Sequence, residues 1–154
     1  MTDISIARAI HLLAVVLWIG GLSMVTTVVL PAARKGMLGD NSQRAFLAVE
    51  RLFSWQARTA VLAAGLSGFY MLWRLDLWSR FGQANFWWMH AMVGLWLVFA
   101  IILFVGEPLL APRARTRAKQ DPKRALTILQ RFHWALLALS AATVFAAVAG
   151  SHGW

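Results

Sequence analysis

The chain has 154 residues, of which 60% are apolar and only 14% charged, and its formal net charge is +9. A soluble domain usually holds about 45–50% apolar and about 25% charged residues, so soluble enzyme classes are excluded. The absence of cysteine also excludes disulfides, thiolate metal centres, iron–sulfur clusters and covalent c-type haem attachment.

Residues 9–33, 81–106 and 132–154 form stretches of 25, 26 and 23 residues without a formal charge, each longer than the about 20 that cross a bilayer. The expected fold is all-α: a polytopic membrane protein, one four-transmembrane-helix bundle over residues 1–154. The first helix is expected over 7–30. It is too long for a signal-peptide core of about 7–15 residues, and no small-residue cleavage site closes it. The second, over 50–73, is less plain, because Glu50, Arg51 and Arg58 stand in its first half. A membrane edge near Ser54 puts Arg58 about one turn inside, where its long side chain can snorkel to the headgroups. The third and fourth helices are expected over 84–106 and 129–150.

Loop charges set the orientation. Segment 31–45 holds Arg34, Lys35 and Arg44, and segment 107–125 holds Arg113, Arg115, Arg117, Lys119, Lys123 and Arg124. With the flanking Arg51, Arg58 and Arg131, one side carries 12 of the 15 basic residues, against Arg8, Arg74 and Arg80 on the other. The positive-inside rule makes these two segments cytoplasmic loops of a bacterial-type inner membrane, with both termini periplasmic. It also accounts for the basic run 113–124 as a topology determinant beside anionic lipid, so no nucleic-acid partner is expected.

Trp73, Trp78, Trp87, Trp88 and Trp154 fall at the outer boundary, as an interfacial aromatic belt requires; Trp18 and Trp96 lie deeper. Small residues recur every four positions at Ala60, Ala64 and Gly68 and again at Ala138, Ala142, Ala146 and Gly150. That spacing lets membrane helices approach closely. At an offset of 79 residues His11 matches His90, Arg34 matches Arg113, Phe53 matches Phe132 and Trp55 matches Trp134. These matches leave open two parallel helical-hairpin repeats about an axis along the membrane normal.

Metal-binding side chains within a bilayer mark function by default, because placing them there is costly. His11 lies about one turn below the outer end of the first helix, and His90 lies about one to two turns below that of the third, which runs parallel to it. The two imidazoles thus share a depth. They are candidate axial ligands of a b-type haem, or two ligands of a copper site. Arg8, one turn nearer water than His11, is placed to receive a haem propionate. His152 returns to the same face and is an optional third copper ligand, a solvated tail histidine being the simpler account. His133 enters the fourth helix from the opposite side. Pairing it with Met24 around a second haem is disfavoured, because Met24 is roughly 140° around the helix from His11. Arg51 and Arg58 share a helix face able to bind a quinone or lipid headgroup, with snorkelling the simpler account.

The string His11-Leu12-Leu13-Ala14-Val15-Val16-Leu17-Trp18-Ile19-Gly20-Gly21 resembles the first helix of the short CopD-like (copper-resistance protein D) membrane proteins. Pro31 closing the first helix, Gly65 to Tyr70 late in the second, His90 opening the third, Pro108 closing it and the basic loop beyond agree with that family in order. A more distant resemblance is to HemJ-type protoporphyrinogen oxidases, four-helix haem b proteins whose third helix typically reads Trp-Leu-His-x-Lys. Trp88-Met89-His90-Ala91-Met92 stands in that place, with Met92 where the Lys belongs. The resemblances imply a haem or copper site at His11 and His90; the missing Lys argues against protoporphyrinogen oxidation.

Three functions are expected to compete. The first is a haem b membrane protein for electron transfer, as a quinone-linked oxidoreductase or its membrane subunit, with redox subunits or a quinone as partners besides the lipid bilayer. The second is a copper-binding or copper-transport protein, with Met71 and Met89 as soft ligands for Cu(I). The third is a structural membrane subunit without a site. Oligomers are compatible with all three.

Overall fold

The computed structural model describes residues 2–39 and 41–152 and is built from four long helices. They are α1, Thr2–Arg34; α2, Ser42–Arg74; α3, over 87–120; and α4, Pro122–Ser151. The stretches Thr2–Arg34, Ala84–Leu110 and Pro122–Ser151 are long and apolar enough to cross a membrane. α2 is as long as α1 but carries Arg44, Glu50, Arg51, Arg58 and Arg74. A helix of 33 residues extends about 50 Å, against a hydrocarbon thickness of about 30 Å. Each helix therefore outruns the span expected from sequence.

The segment 107–125 is not a loop. Helix continues to Gln120, and α4 restarts at Pro122. The break is a single residue: Asp121 accepts the backbone N–H of Arg124 at 3.0 Å, and Pro122 occupies the first helical turn, the standard arrangement at a helix start. Segment 31–45 is likewise helical at both ends. Between α1 and α2, Gly36 and Gly39 turn the chain with φ of 72° and 87°, a conformation that glycine adopts without penalty.

Pro31 and Pro108 do not close their helices, contrary to expectation. Each is preceded by a π turn, Val25–Val29 in α1 and Ile102–Gly106 in α3. The Leu30 N–H bonds to Val25 O and the Glu107 N–H to Ile102 O, so the register there is i to i+5. The next carbonyls, Thr26 and Leu103, then fall opposite the two prolines, which have no N–H to give. Both carbonyls are served from another helix. Gln130 Nε2 of α4 donates to Thr26 O at 2.7 Å; Arg58 Nε of α2 donates to Leu103 O at 3.2 Å. Arg58 also pairs with Glu107 at 3.3 Å, while the Ser54 hydroxyl donates to the same carboxylate. Arg58 therefore reaches sideways across the bundle instead of snorkelling along it.

α1 packs along α2, and α3 along α4. Ala14, Trp18 and Leu22 of α1, Ala60, Val61 and Ala64 of α2, Leu95 and Phe99 of α3 and Leu136 of α4 form one buried cluster. A second, nearer the basic end, joins Val25, Val29, Leu30 and Ala33 to Phe46 and Leu126. The exterior is apolar: Leu66 is 72% exposed and Phe145 74%, a surface that suits lipid rather than water. The small-residue seam of α2 is as expected, with Ala60 and Ala64 buried. That of α4 is not. Ala138 and Ala142 are exposed, and the buried face runs through Leu136, Ser140 and Thr143. Two residues' displacement is about 200° around a helix, so the alanines point away from the bundle.

Glycine instead makes seats for indoles. A Cβ at Gly65 would lie 2.7 Å from the Trp96 ring, and one at Gly150 would collide with Trp88. Trp88 is therefore turned inward, whereas Trp73, Trp78 and Trp87 are exposed, as in the expected belt. Trp154 lies outside the described residues.

Near the start of α1, outside its apolar 7–30 stretch, Asp3 accepts Arg74 Nε and the Tyr70 hydroxyl of α2, each at 3.0 Å. Arg74, then Tyr70, hold the Asp3 carboxyl well below the usual carboxylate range. A depressed pKa means that the tie is fully formed above about pH 4 and is lost as pH falls through the lowered value.

Two outcomes follow for purified protein in detergent. Gln130→Leu is expected to lower stability by about 1–3 kcal/mol, the cost of an orphaned buried acceptor. In a Pro31→Ala background, where position 31 regains an N–H for Thr26, the loss should be less than half of that; equal losses in both would show that Gln130 does not serve the carbonyl freed by Pro31. At neutral pH, Asp3→Asn should speed amide exchange over residues 4–8 and leave the α4 amides unchanged. Unaltered exchange over 4–8 would mean that the Asp3 tie does not hold α1 to α2.

Candidate functional site

Above the main core the four helices diverge around a cavity of about 390 Å³, within the range of small-molecule and cofactor sites. Its walls come from all four helices: Val15 and Trp18 of α1, Ala64 and Gly68 of α2, Met92 and Trp96 of α3, Thr143 and Ala147 of α4. The connection after α2 lines the end away from that core, its mouth. Asp76 takes a φ of 50°, then Trp78–Gly82 and Ala84–Phe86 form 3₁₀ turns, and Leu75, Leu77, Arg80 and Phe81 face the opening. The lining is apolar except for a few groups, chiefly His11, Arg8 and Arg80.

His11 is held in one orientation. Its Nδ1 lies 2.9 Å from the Ala64 carbonyl and 3.2 Å from Ser67 Oγ. A carbonyl only accepts, and the Ser67 hydroxyl is itself committed as a donor to Ala63 O at 2.6 Å. Nδ1 therefore carries the proton, which leaves the Nε2 lone pair available. A hydrogen bond of this kind, through the other ring nitrogen, is what fixes the orientation of a metal-ligating imidazole. The ring has room because residue 68 is glycine: a Cβ there would stand 3.3 Å from His11 Cε1.

Deeper in the wall, Trp96 rests on Gly65 and donates to Val61 O at 2.9 Å. Trp18 meets Phe99 edge-on at 4.7 Å between centroids. The indole nitrogens of Trp18 and Trp88 are buried and have no acceptor.

The expected ligands are only partly brought together. His11 and Arg8 line the cavity; His90 does not. It sits on an exposed position of α3 against the edge of Phe81, 5.1 Å between centroids. His152 bonds to Val148 O at 2.8 Å, at the end of its own helix. His133 Nδ1 bonds to Leu129 O at 3.0 Å, and Met24 is exposed. Among the described residues, no three of His, Asp and Glu gather as a metal would require. Arg80, Met92 and Trp88 also line the site, and no sequence signal marks them for it. In the sequence Arg80 reads only as an outer-side charge, Trp88 as part of the aromatic belt and Met92 as an apolar residue two after His90.

Comparison with protein-family models, with curated proteins and with solved structures finds no match to this chain.

Proposed function

We propose that the chain is an integral membrane b-type haem protein that carries electrons, with His11 as an axial ligand in the four-helix cavity. The observation that carries this reading is the His11 imidazole, held through Nδ1 by the Ala64 carbonyl with Nε2 free, in a space of about 390 Å³. That volume is far more than a bare ion needs and less than a whole haem fills, so the macrocycle would sit between the aromatic walls with one edge outside the cavity. Arg8 and Arg80 at the mouth fit two propionates. The unpaired Trp18 and Trp88 indoles offer donors that the chain itself does not use. Bound there, haem supplies a one-electron couple; the chain excludes water and orients the ring. All four helices cross the inner membrane in this reading, α2 included, with both termini periplasmic and a quinone or a membrane redox subunit as electron partner. Two helical-hairpin repeats belong to this reading on the sequence matches at an offset of 79 residues alone, since the two proline-linked π turns are 77 apart.

Copper handling is the second reading, favoured by Met71, Met89 and Met92 lining the same cavity as His11, since thioethers select Cu(I).

Purified from haem-replete cells, the protein should show a Soret band that His11→Ala abolishes and His133→Ala leaves intact. Copper bound in its absence, and lost with His11, would replace the haem reading with the copper one. For orientation, Ser79→Cys should react with an impermeant thiol reagent from outside the inner membrane while Ser42→Cys is protected; the reverse pattern would invert the topology.

A further inference from the structure

We propose that Met92 supplies the second axial ligand opposite His11, so that the cofactor is held by one imidazole and one thioether. This rests on the haem reading above and goes beyond it, since the sequence offers His90 for that role.

The argument is one of register. Trp96 fixes α3 against α2: its ring lies on Gly65, and its Nε1 reaches Val61 O, so the ring stands at the level of 61–65. α3 runs opposite to α2. Met92 is one turn before Trp96 on the same helix face, about 6 Å nearer the mouth. That is the level of 65–69 on α2. His11 lies at this same level, bonded to Ala64 O and packed on Gly68. Both side chains line the cavity from α1 and α3, helices that meet on its deep side at the Trp18–Phe99 contact. Side chains on both helices lean toward their N-termini, which in α1 and α3 point the same way, so the match in depth persists out to the side-chain tips.

The other candidates fail on the same register. His90 precedes Met92 by two residues, about 200° around the helix, and stands exposed against Phe81, outside the cavity lining. Met89 is almost a full turn above Met92, and Met71 on α2 lies three residues beyond Gly68; both are nearer the mouth than His11. The unbranched Met92 side chain can reach toward the middle of a wide space, and its sulfur is a ligand known to pair with histidine on haem iron, where it raises the reduction potential.

The test compares the haem-loaded protein with Met92→Leu, Met92→His and His90→Ala by absorbance, magnetic circular dichroism and redox titration. Met92→Leu conserves volume, so the fold is expected to survive; His11 keeps the haem. The expected result is that Met92→Leu turns a low-spin spectrum high-spin, removes the thioether-to-iron charge-transfer band and lets added imidazole bind at least about tenfold more tightly. Met92→His should restore the low-spin state with a lower midpoint potential, and His90→Ala should change none of these. An unchanged spin state and potential in Met92→Leu, or conversion by His90→Ala instead, would overturn the Met92 assignment while leaving haem binding standing. A wild-type protein with no Soret band would overturn the haem reading and this one together.

Discussion

In hydrocarbon no water is present to receive a backbone carbonyl that has lost its partner. Pro31 and Pro108 each create one in a long apolar helix, and the bundle is organised around meeting that demand. The widened turns move the free carbonyls to Thr26 and Leu103, where Gln130 and Arg58 approach from other helices. α1 is thereby tied to α4, and α3 to α2, across the seams that the α1–α2 and α3–α4 contacts leave open. Glu107 completes the second tie by neutralising Arg58; a lone charge at that position would be expensive.

These ties lie on one side of the main core, and the cavity lies on the other. Between them Trp18, Leu95 and Phe99 close the space with Ala60, Val61 and Leu136. Toward the mouth the helices remain apart because Trp88 and Trp96, seated on Gly150 and Gly65, act as spacers. His11 takes its place in that gap through a backbone carbonyl, so its orientation depends on the α1–α2 packing, reinforced at the end by Asp3 and Arg74.

The apolar runs made the all-helical architecture and three of the membrane-length helices legible in sequence, because span length and absence of charge are read directly. The helix ends were not. Proline signals a stop only when the freed carbonyl stays unserved, and nothing local to Pro31 or Pro108 announces Gln130, 99 residues after the first, or Arg58. The alanine spacing in α4 misled for a related reason: Ala138 and Ala142 have the period of a packing face, but polar Ser140 and Thr143 mark the face that is buried. At the site, His11 and Arg8 could be found as isolated polar groups in apolar sequence. The rotation that takes His90 off the cavity and puts Met92 on it depends on where Trp96 meets Gly65, a contact between helices that composition does not encode.

The buried cluster beneath the cavity also bears on the electrical behaviour of the molecule. A charge held in the cavity would lie above Trp18 and Phe99, part of the way through the bilayer thickness. A full crossing couples to the membrane potential by about 2.3 kcal/mol per 100 mV for each elementary charge; a partial one couples by a corresponding fraction. A charged group held there would therefore feel a fraction of the membrane potential and not the whole of it.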